Sequence, residues 1–501
     1  MQQDIKTSSA AHGEASQPAR AAQELGQAVG RTGASSAPNK WIVLFTVVLM
    51  TFMSTLDSSI VNVALPAMQR ELAVGASDIQ WVSSVYLLVC CVTVLVFGRL
   101  GDLFGKVKLF QGGVALFTIG SALCGLSTSL PMLIAARVVQ GLGAASATAN
   151  NMGIVTEVFP TSQRGRALGI VSTFVSLGMM CGPTIGGVLV SVFPWESIFL
   201  INVPVGIVAL LVGLKTLPRD LPRGESSGFD VPGALLLAPS IFLIFFSLTN
   251  LAGGVTAPLM VALVAGIALF VGFVVVERRV ASPLVRLDVF RNAEFSLNLA
   301  AMFLCFVAVG GTELILPFYL QDACGLPSNI AGLALTAIPL AMAVAGPFGG
   351  ALSDRIGSFW PCLVGLAIYA AGIALVGGLT ELSPIVQIVG LMAFMAVGTG
   401  LFQSPNNSLI MGSVDLAHLG FAGSLVSLVR YMGMSAGVTG GTELLYGRMS
   451  ALAGMPVSGY IEGRPDLFLA GFSFTFMVFA ALTVLGAVFL IAGAAAKKRS
   501  R

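Results

Sequence analysis

Stretches of 18 or more predominantly apolar residues follow one another from Trp41 almost to the C-terminus. A water-soluble core cannot absorb them, and in a bilayer only segments that satisfy their own backbone hydrogen bonds can cross, so they predict membrane-spanning helices. Composition agrees: 56% of the 501 residues are apolar and 10% are charged, with a mean hydropathy of +0.92, against roughly 25% charged in an ordinary soluble domain. A disordered protein, a collagen-like fibre, a disulfide scaffold and a soluble enzyme are excluded, and the chain reads as a polytopic membrane protein. A formal charge of +3 is too small to point to nucleic acid. Seven cysteines, mostly inside apolar runs, read as small packing residues.

Residues 1–40, rich in Ala, Ser, Gly and Gln, read as a disordered cytoplasmic tail. Apolar windows then predict fourteen helices, near 42–66, 81–99, 109–127, 131–157, 168–192, 198–217, 233–250, 257–276, 296–320, 331–352, 361–379, 384–410, 421–445 and 468–494. Lys and Arg should collect on the cytoplasmic side. With a cytoplasmic N-terminus, 21 of the 26 basic residues do so, including Arg219, Arg223, Arg286 and those in the tail after residue 496. An even number of spans places both termini in the cytoplasm.

One internal repeat is visible. The loop after span 2, GRLGDLFG at 98–105, recurs after span 10 as GALSDRIG at 350–357, 252 residues later. Its elements are Gly98, Asp102, Gly105 and Lys106 in the first copy and Gly350, Asp354, Arg355 and Gly357 in the second. Glycine permits a tight turn, the Asp can sit at the positive N-terminus of the next helix, and the basic residues can bind carboxylates or lipid phosphates. Two related six-span halves, 41–217 and 295–495, would be joined by a linker, 218–294, carrying two additional spans. Parallel halves of this kind are a transporter architecture.

Four further segments join this repeat: LDSSIVNVALP at 56–66, LIAARVVQG at 133–141, GMMCGPTIGG at 178–187 and IFLINVPVG at 198–206. In this order they resemble the major facilitator superfamily, and within it the fourteen-span drug:proton antiporter branch, over about residues 41–495. The resemblance implies an all-α integral membrane fold of 6 + 2 + 6 helices. It also makes the span 5 segment, with Gly178, Gly182, Pro183, Gly186 and Gly187, similar to the family's antiporter motif. Leu103, Val107, Ser358 and Phe359 depart from the basic residues usual in the loop motif, and Trp195-Glu196-Ser197 replaces a more usual Trp-Arg-Trp. Gly178, Gly182 and Gly186 fall on one helical face and Pro183 removes a backbone bond, which reads as a hinge or gasket between the halves.

A charge near the bilayer centre costs about 2.5 to 3.5 kcal/mol on insertion scales, so each is a functional candidate. Asp57, Arg137, Glu313, Arg430 and Glu443 form that set, with Glu443 near its span's outer end. At ~1.5 Å per residue Asp57 lies roughly 14 Å below Pro66 and Arg137 roughly 9 Å below Pro131, similar depths that allow a pair, direct or through Gln140. Asp57 is the expected proton carrier, Arg137 its switch partner and Glu313 an auxiliary site. Asn62, Gln140, Asn150, Asn151, Gln403, Asn406, Asn407 and Arg430 are candidate cavity-lining residues, since unsatisfied polar groups are expensive in hydrocarbon.

Ser435, in a GMSAG pattern, sits in an apolar span with no obvious base, and neither a Walker A pattern nor a Cys/His metal cluster is present. The expectation is therefore not an enzyme but a secondary transporter: proton-coupled export of small lipophilic, in part cationic compounds by alternating access. A metabolite symporter or uniporter, and a membrane-embedded ligand sensor, are the alternatives. Expected partners are a small-molecule substrate, protons and the lipid bilayer, with no nucleic acid, cofactor or metal. The expected unit is a monomer in a bacterial inner or plasma membrane.

Overall fold

The computed structural model describes residues 39–218, 220, 230–249, 256–280, 287–414 and 419–500. The expected tail before residue 39 lies outside these residues, as do Arg219, Arg223, Arg286 and Arg501. The described residues form α1 (Lys40–Glu71), α2 (Trp81–Phe104), α3 (Lys106–Gly125), α4 (Leu130–Val158), α5 (Thr161–Val192), α6 (Asn202–Thr216), α7 (Val231–Thr249) and α8 (Ala257–Glu277). Then come α9 (Ala293–Phe318), α10 (Ser328–Leu335 and Ala337–Ile356, interrupted at Thr336), α11 (Phe359–Val376), α12 (Ile385–Gly412), α13 (Leu419–Ala453) and α14 (Pro465–Ser500). Eleven helical segments among the described residues are long and apolar enough to cross a membrane, and two shorter apolar ones lie within α5 and α7.

Local chemistry sets the helix ends. Asn39 caps α1 by accepting from the Trp41 amide, and Asn292 caps α9 by accepting from the amides of Glu294 and Phe295. The last glycine of each repeat copy ends a helix with a positive φ, 112° at Gly105 and 82° at Gly357, a conformation that costs glycine little. Several helices outrun their apolar windows. α1 continues past Pro66, α5 begins at Thr161, α13 runs to Ala453 before Gly454 turns the chain, and α14 carries the expected basic tail on as helix to Ser500. Apolarity marks only the part that needs hydrocarbon, whereas a helix persists into the interface until a residue stops it.

Helices α1–α6 pack chiefly among themselves, as do α9–α14. The two groups meet mainly where α5 lies along α10 and α2 lies along α13. α7 and α8 form a hairpin, and α7 touches both α2 and α13 at that second seam. Many residues of α8 are exposed, as befits a surface facing lipid.

Glycine determines how closely neighbours approach. A Cβ on Gly178 would collide with Thr55, one on Gly182 with Ser59, and one on Gly186 would press on Ile60, all on α1. The face of the three glycines thus turns to α1 rather than to the other half. The three-glycine face cements α5 to α1 within the first group, while Pro183, Thr184 and Gly187 of the same segment meet α10, against Ser328, Asn329, Gly332 and Thr336. Gly182→Leu should therefore destabilise the purified protein by about 1–3 kcal/mol through overpacking. Gly390→Leu, with nothing within 4 Å of its Cβ position, should leave the melting temperature unchanged. Equal melting temperatures for the two variants in detergent would refute this account of the seam.

Candidate functional site

α1 and α4 bring Asp57 and Arg137 together in the interior of the first group, with side chains 0% and 1% exposed. Arg137 Nη1 donates to Asp57 Oδ2 at 2.6 Å. Asp57 Oδ1 accepts from Gln140 Nε2 and from Asn202 Nδ2, each at 2.8 Å. Arg137 further donates to Gln140 Oε1 at 2.6 Å and, through Nε, to the Val82 carbonyl at 2.9 Å. Gln140 also donates to Ser121 Oγ at 2.8 Å, and the guanidinium lies 4.2 Å from the Tyr86 ring centroid. The cluster around this carboxylate thus ties together α1, α2, α3, α4 and α6. Asp57, Arg137 and Gln140 were legible as a set. Asn202, Ser121 and the Val82 carbonyl were not given roles, although Asn202 carries the same signal, an amide in an apolar span.

Glu313 occupies a different setting. It borders a cavity of about 70 Å³ where the two groups meet, together with Ser58, Ser59 and Asn62 of α1, Met179 and Pro183 of α5, Pro317 of α9, Leu335 and Pro339 of α10 and Met434 of α13. An adjoining space of about 20 Å³ shares Ser58, Asn62, Glu313 and Met434 and reaches Tyr86 and Arg137. Glu313 is the one carboxylate among these lining residues, and none of the described residues bonds to it. Asn62 lines both spaces while accepting from Ser83 Oγ at 2.9 Å. Three prolines border the cavity with the residue one turn before each: Met179 with Pro183, Glu313 with Pro317, and Leu335 with Pro339. Each proline removes the N–H that would bond to that residue's carbonyl, so acceptor capacity concentrates here.

The sequence profile of the Major Facilitator Superfamily matches residues 47–438 and 299–500. The chain belongs to this superfamily. It is similar to the riboflavin transporter RibZ of Clostridioides difficile, 35% identical over 413 residues, covering 79% of this chain and 86% of that one. It is also similar to the multidrug resistance protein Stp of Mycobacterium tuberculosis, 33% identical over 402 residues, covering 79% and 74%. Among solved structures, a bacterial homologue of the human lysosomal transporter Spinster, inward-facing and unoccupied, superposes with a TM-score of 0.67 at 18% identity, covering 94% of this chain and 99% of that one. The chain is therefore a multi-pass membrane transporter and not an enzyme.

Asn150, Asn151, Gln403, Asn406 and Asn407 line neither central space, and Arg430 stands one turn before the lining residue Met434. Asn150 donates to the Phe97 and Ser146 carbonyls, and Asn151 donates to Thr51 Oγ1 at 2.8 Å, so both are internal struts of the first group rather than lining. Gln403, Asn406 and Asn407 are on α12, which packs against α10 and α11; none of them lines either central space. Arg430 on α13 has no acidic partner among the described residues; its guanidinium lies 5.4 Å from the Phe306 ring centroid and its buried Nε has no hydrogen-bond partner.

The loop motif also differs from expectation. Asp102 does not take the N-terminus of α3. It pairs with Lys106 at 3.4 Å, and Lys106 reaches Glu157 at 2.9 Å. The helix terminus goes to Asp220, whose carboxylate accepts from the Val107 and Lys108 amides at 3.0 and 3.1 Å. Gly105 leaves the space that Asp220 fills. Gly98 faces open space. In the second copy Gly350 packs on Ser404, Asp354 and Arg355 are exposed, and Ser353 and Ser358 share a hydrogen bond of 2.6 Å.

At the far end of α1, Arg70 pairs with Asp322 at 3.0 Å, 252 residues away, the spacing of the sequence repeat. Nearby, Gln321 donates to the Val63 carbonyl at 3.0 Å. Equivalent positions of the two groups thus meet where α1 and α9 end.

Breaking the Asp57–Arg137 pair from one side leaves an uncompensated buried charge, at a cost of about 3–5 kcal/mol. Asp57→Ala and Arg137→Met should each lower the melting temperature markedly. The double variant should lie nearer wild type than the sum of the two predicts. Additive losses would mean that the two side chains act independently.

Proposed function

We propose that this transporter exports small lipophilic compounds, cationic ones among them, in exchange for protons. The observation that carries this reading is Glu313, a carboxylate with no bonding partner among the described residues, in the cavity between the two helix groups. Cation and proton compete for one such group, which is sufficient for coupled exchange: a site holding the proton releases the cation, and the reverse. The proline-freed carbonyls favour positive charge at the same place. A proton entering down 100 mV releases about 2.3 kcal/mol and one pH unit adds about 1.4, enough to hold a neutral solute roughly 400-fold out of balance.

The leading proton role passes here from Asp57 to Glu313. Asp57 already accepts three hydrogen bonds in a site closed to solvent, two on Oδ1 and one on Oδ2, so neither oxygen is free to take a proton without a donor turning away. It serves as the anchor of the first group, and Arg137 borders the smaller space from that anchor. The fourteen helices are assigned as 6 + 2 + 6 spans with both termini cytoplasmic. The Arg70–Asp322 contact then lies on the outer side, as a latch of the outer gate. The drug:proton antiporter branch fits this reading, as does the similarity to Stp, named as a multidrug resistance protein. One observation favours a second reading, a metabolite carrier: the relative RibZ is named as a riboflavin transporter.

The test uses proteoliposomes holding a pH-sensitive dye, an imposed pH gradient, and a panel of lipophilic cations, neutral antibiotics, organic anions and riboflavin. A lipophilic cation should dissipate the gradient through wild type. Glu313→Gln should slow that dissipation at least about tenfold, while still exchanging labelled compound across a membrane without a gradient. Riboflavin equilibrating with no proton movement would select the metabolite carrier, and a fully coupled Glu313→Gln variant would overturn the assignment to Glu313.

A further inference from the structure

We propose that the substrate site has two charged poles, Glu313 and Arg430, and that it takes amphoteric compounds bearing a cationic and an anionic group at opposite ends. This rests on the cavity at Glu313 being the transport site. Phe306, Gly310, Glu313 and Pro317 recur at three- and four-residue spacing, so they share one face of α9. Gly310, Glu313 and Pro317 of that face border the central spaces. α9 and α13 run parallel, since Gly310 meets Met434, Gly311 meets Gly437, and Gly441 meets Ile315. Arg430 lies one turn before the cavity-lining Met434, and its guanidinium sits over Phe306.

The separation follows from the helix. Phe306 and Glu313 are seven residues apart on α9, or roughly 10 Å at the α-helical rise. An acid and a base thus stand at opposite ends of one strip, too far apart to neutralise each other directly. Neither has a partner of opposite charge among the described residues, in contrast to Asp57 and Arg137, which satisfy each other a few ångströms away. An unpaired guanidinium inside a membrane protein is costly, and a ligand carboxylate offers it the planar, two-oxygen partner it is built to bind. Gly310 and Met434, between the poles, border the smaller space and leave room for the apolar body of the ligand.

The test measures equilibrium binding to the purified full-length protein in detergent. The probes are norfloxacin, with a carboxylate and a distal amine at opposite ends of a rigid ring system, its methyl ester, which lacks the anion, and its N-acetyl derivative, which lacks the cation. Wild type should bind norfloxacin at least about tenfold more tightly than either derivative. Arg430→Gln should bind acid and ester alike while still rejecting the N-acetyl derivative, and Arg430→Lys should keep part of the preference for the acid. Glu313→Gln should lose only the preference for the amine. Unchanged ester affinity in Arg430→Gln also reports that the variant is folded.

Equal affinities of wild type for acid and ester, or no binding of any probe, would overturn the proposal, as would a loss in Arg430→Gln that is the same for acid and ester. Should Arg430→Gln fail to fold, the wild-type comparison of acid and ester decides. Two-pole binding without proton-linked flux would overturn the export reading and leave the poles standing. Proton-linked flux with equal affinity for all three probes would do the reverse.

Discussion

A charge inside a membrane protein is costly unless something there satisfies it, and Asp57 is satisfied by groups from two other helices, α4 and α6. Its carboxylate takes hydrogen bonds from Arg137, Gln140 and Asn202, and Arg137 in turn holds the Val82 carbonyl. Removing the charge would leave these donors unmatched, so the cluster fixes how α1, α2, α4 and α6 sit against one another. The hydrophobic effect cannot specify this arrangement, because lipid tails are as apolar as the helix surfaces they compete with. Polar complementarity and close glycine contacts are the remaining sources of specificity.

The second group is packed by close backbone contacts. Gly310 and Gly311 on α9 meet Met434 and Gly437 on α13, and Gly365 on α11 meets Gly398 and Phe402 on α12. Backbones approach so closely at these places that a methyl group would not fit. An aromatic stack from Tyr319 through Phe472 to Phe476 binds the end of α9 to α14. Close glycine contacts occur in both groups, at Gly113 and Gly143 between α3 and α4 as at Gly365 and Gly398 between α11 and α12, and the charge cluster is what the first group adds. Among the described residues, Glu313 and Arg430 of the second group have no partner of opposite charge.

The helix map, the repeat and the pairing of Asp57 with Arg137 were legible in the sequence. Apolar runs mark helices, and helical rise converts sequence position into depth. Direction around the helix was harder to read. Gly178, Gly182 and Gly186 announced a close contact, yet a small residue does not name its neighbour, and that neighbour proved to be α1 within the same group. Asn150 and Asn151 are adjacent residues, and both turned out to bond within the first group. Asp220 gave no signal at all, because its role depends on a segment after α6 folding back onto the start of α3. Depth is a one-dimensional property that sequence carries, whereas azimuth and long-range return depend on the assembled bundle.

The contrast between Asp57 and Glu313 explains why two acids at membrane depth need not do similar work. Asp57 spends its acceptor capacity on three donors that hold α1, α4 and α6 together, so any change at this carboxylate disturbs the frame. A carboxylate facing a cavity loses no protein partner when it gains a proton or releases a cation. The saturated pair gives the first group a fixed geometry, and the unsaturated acid at the seam supplies the reversible step that such a frame can carry.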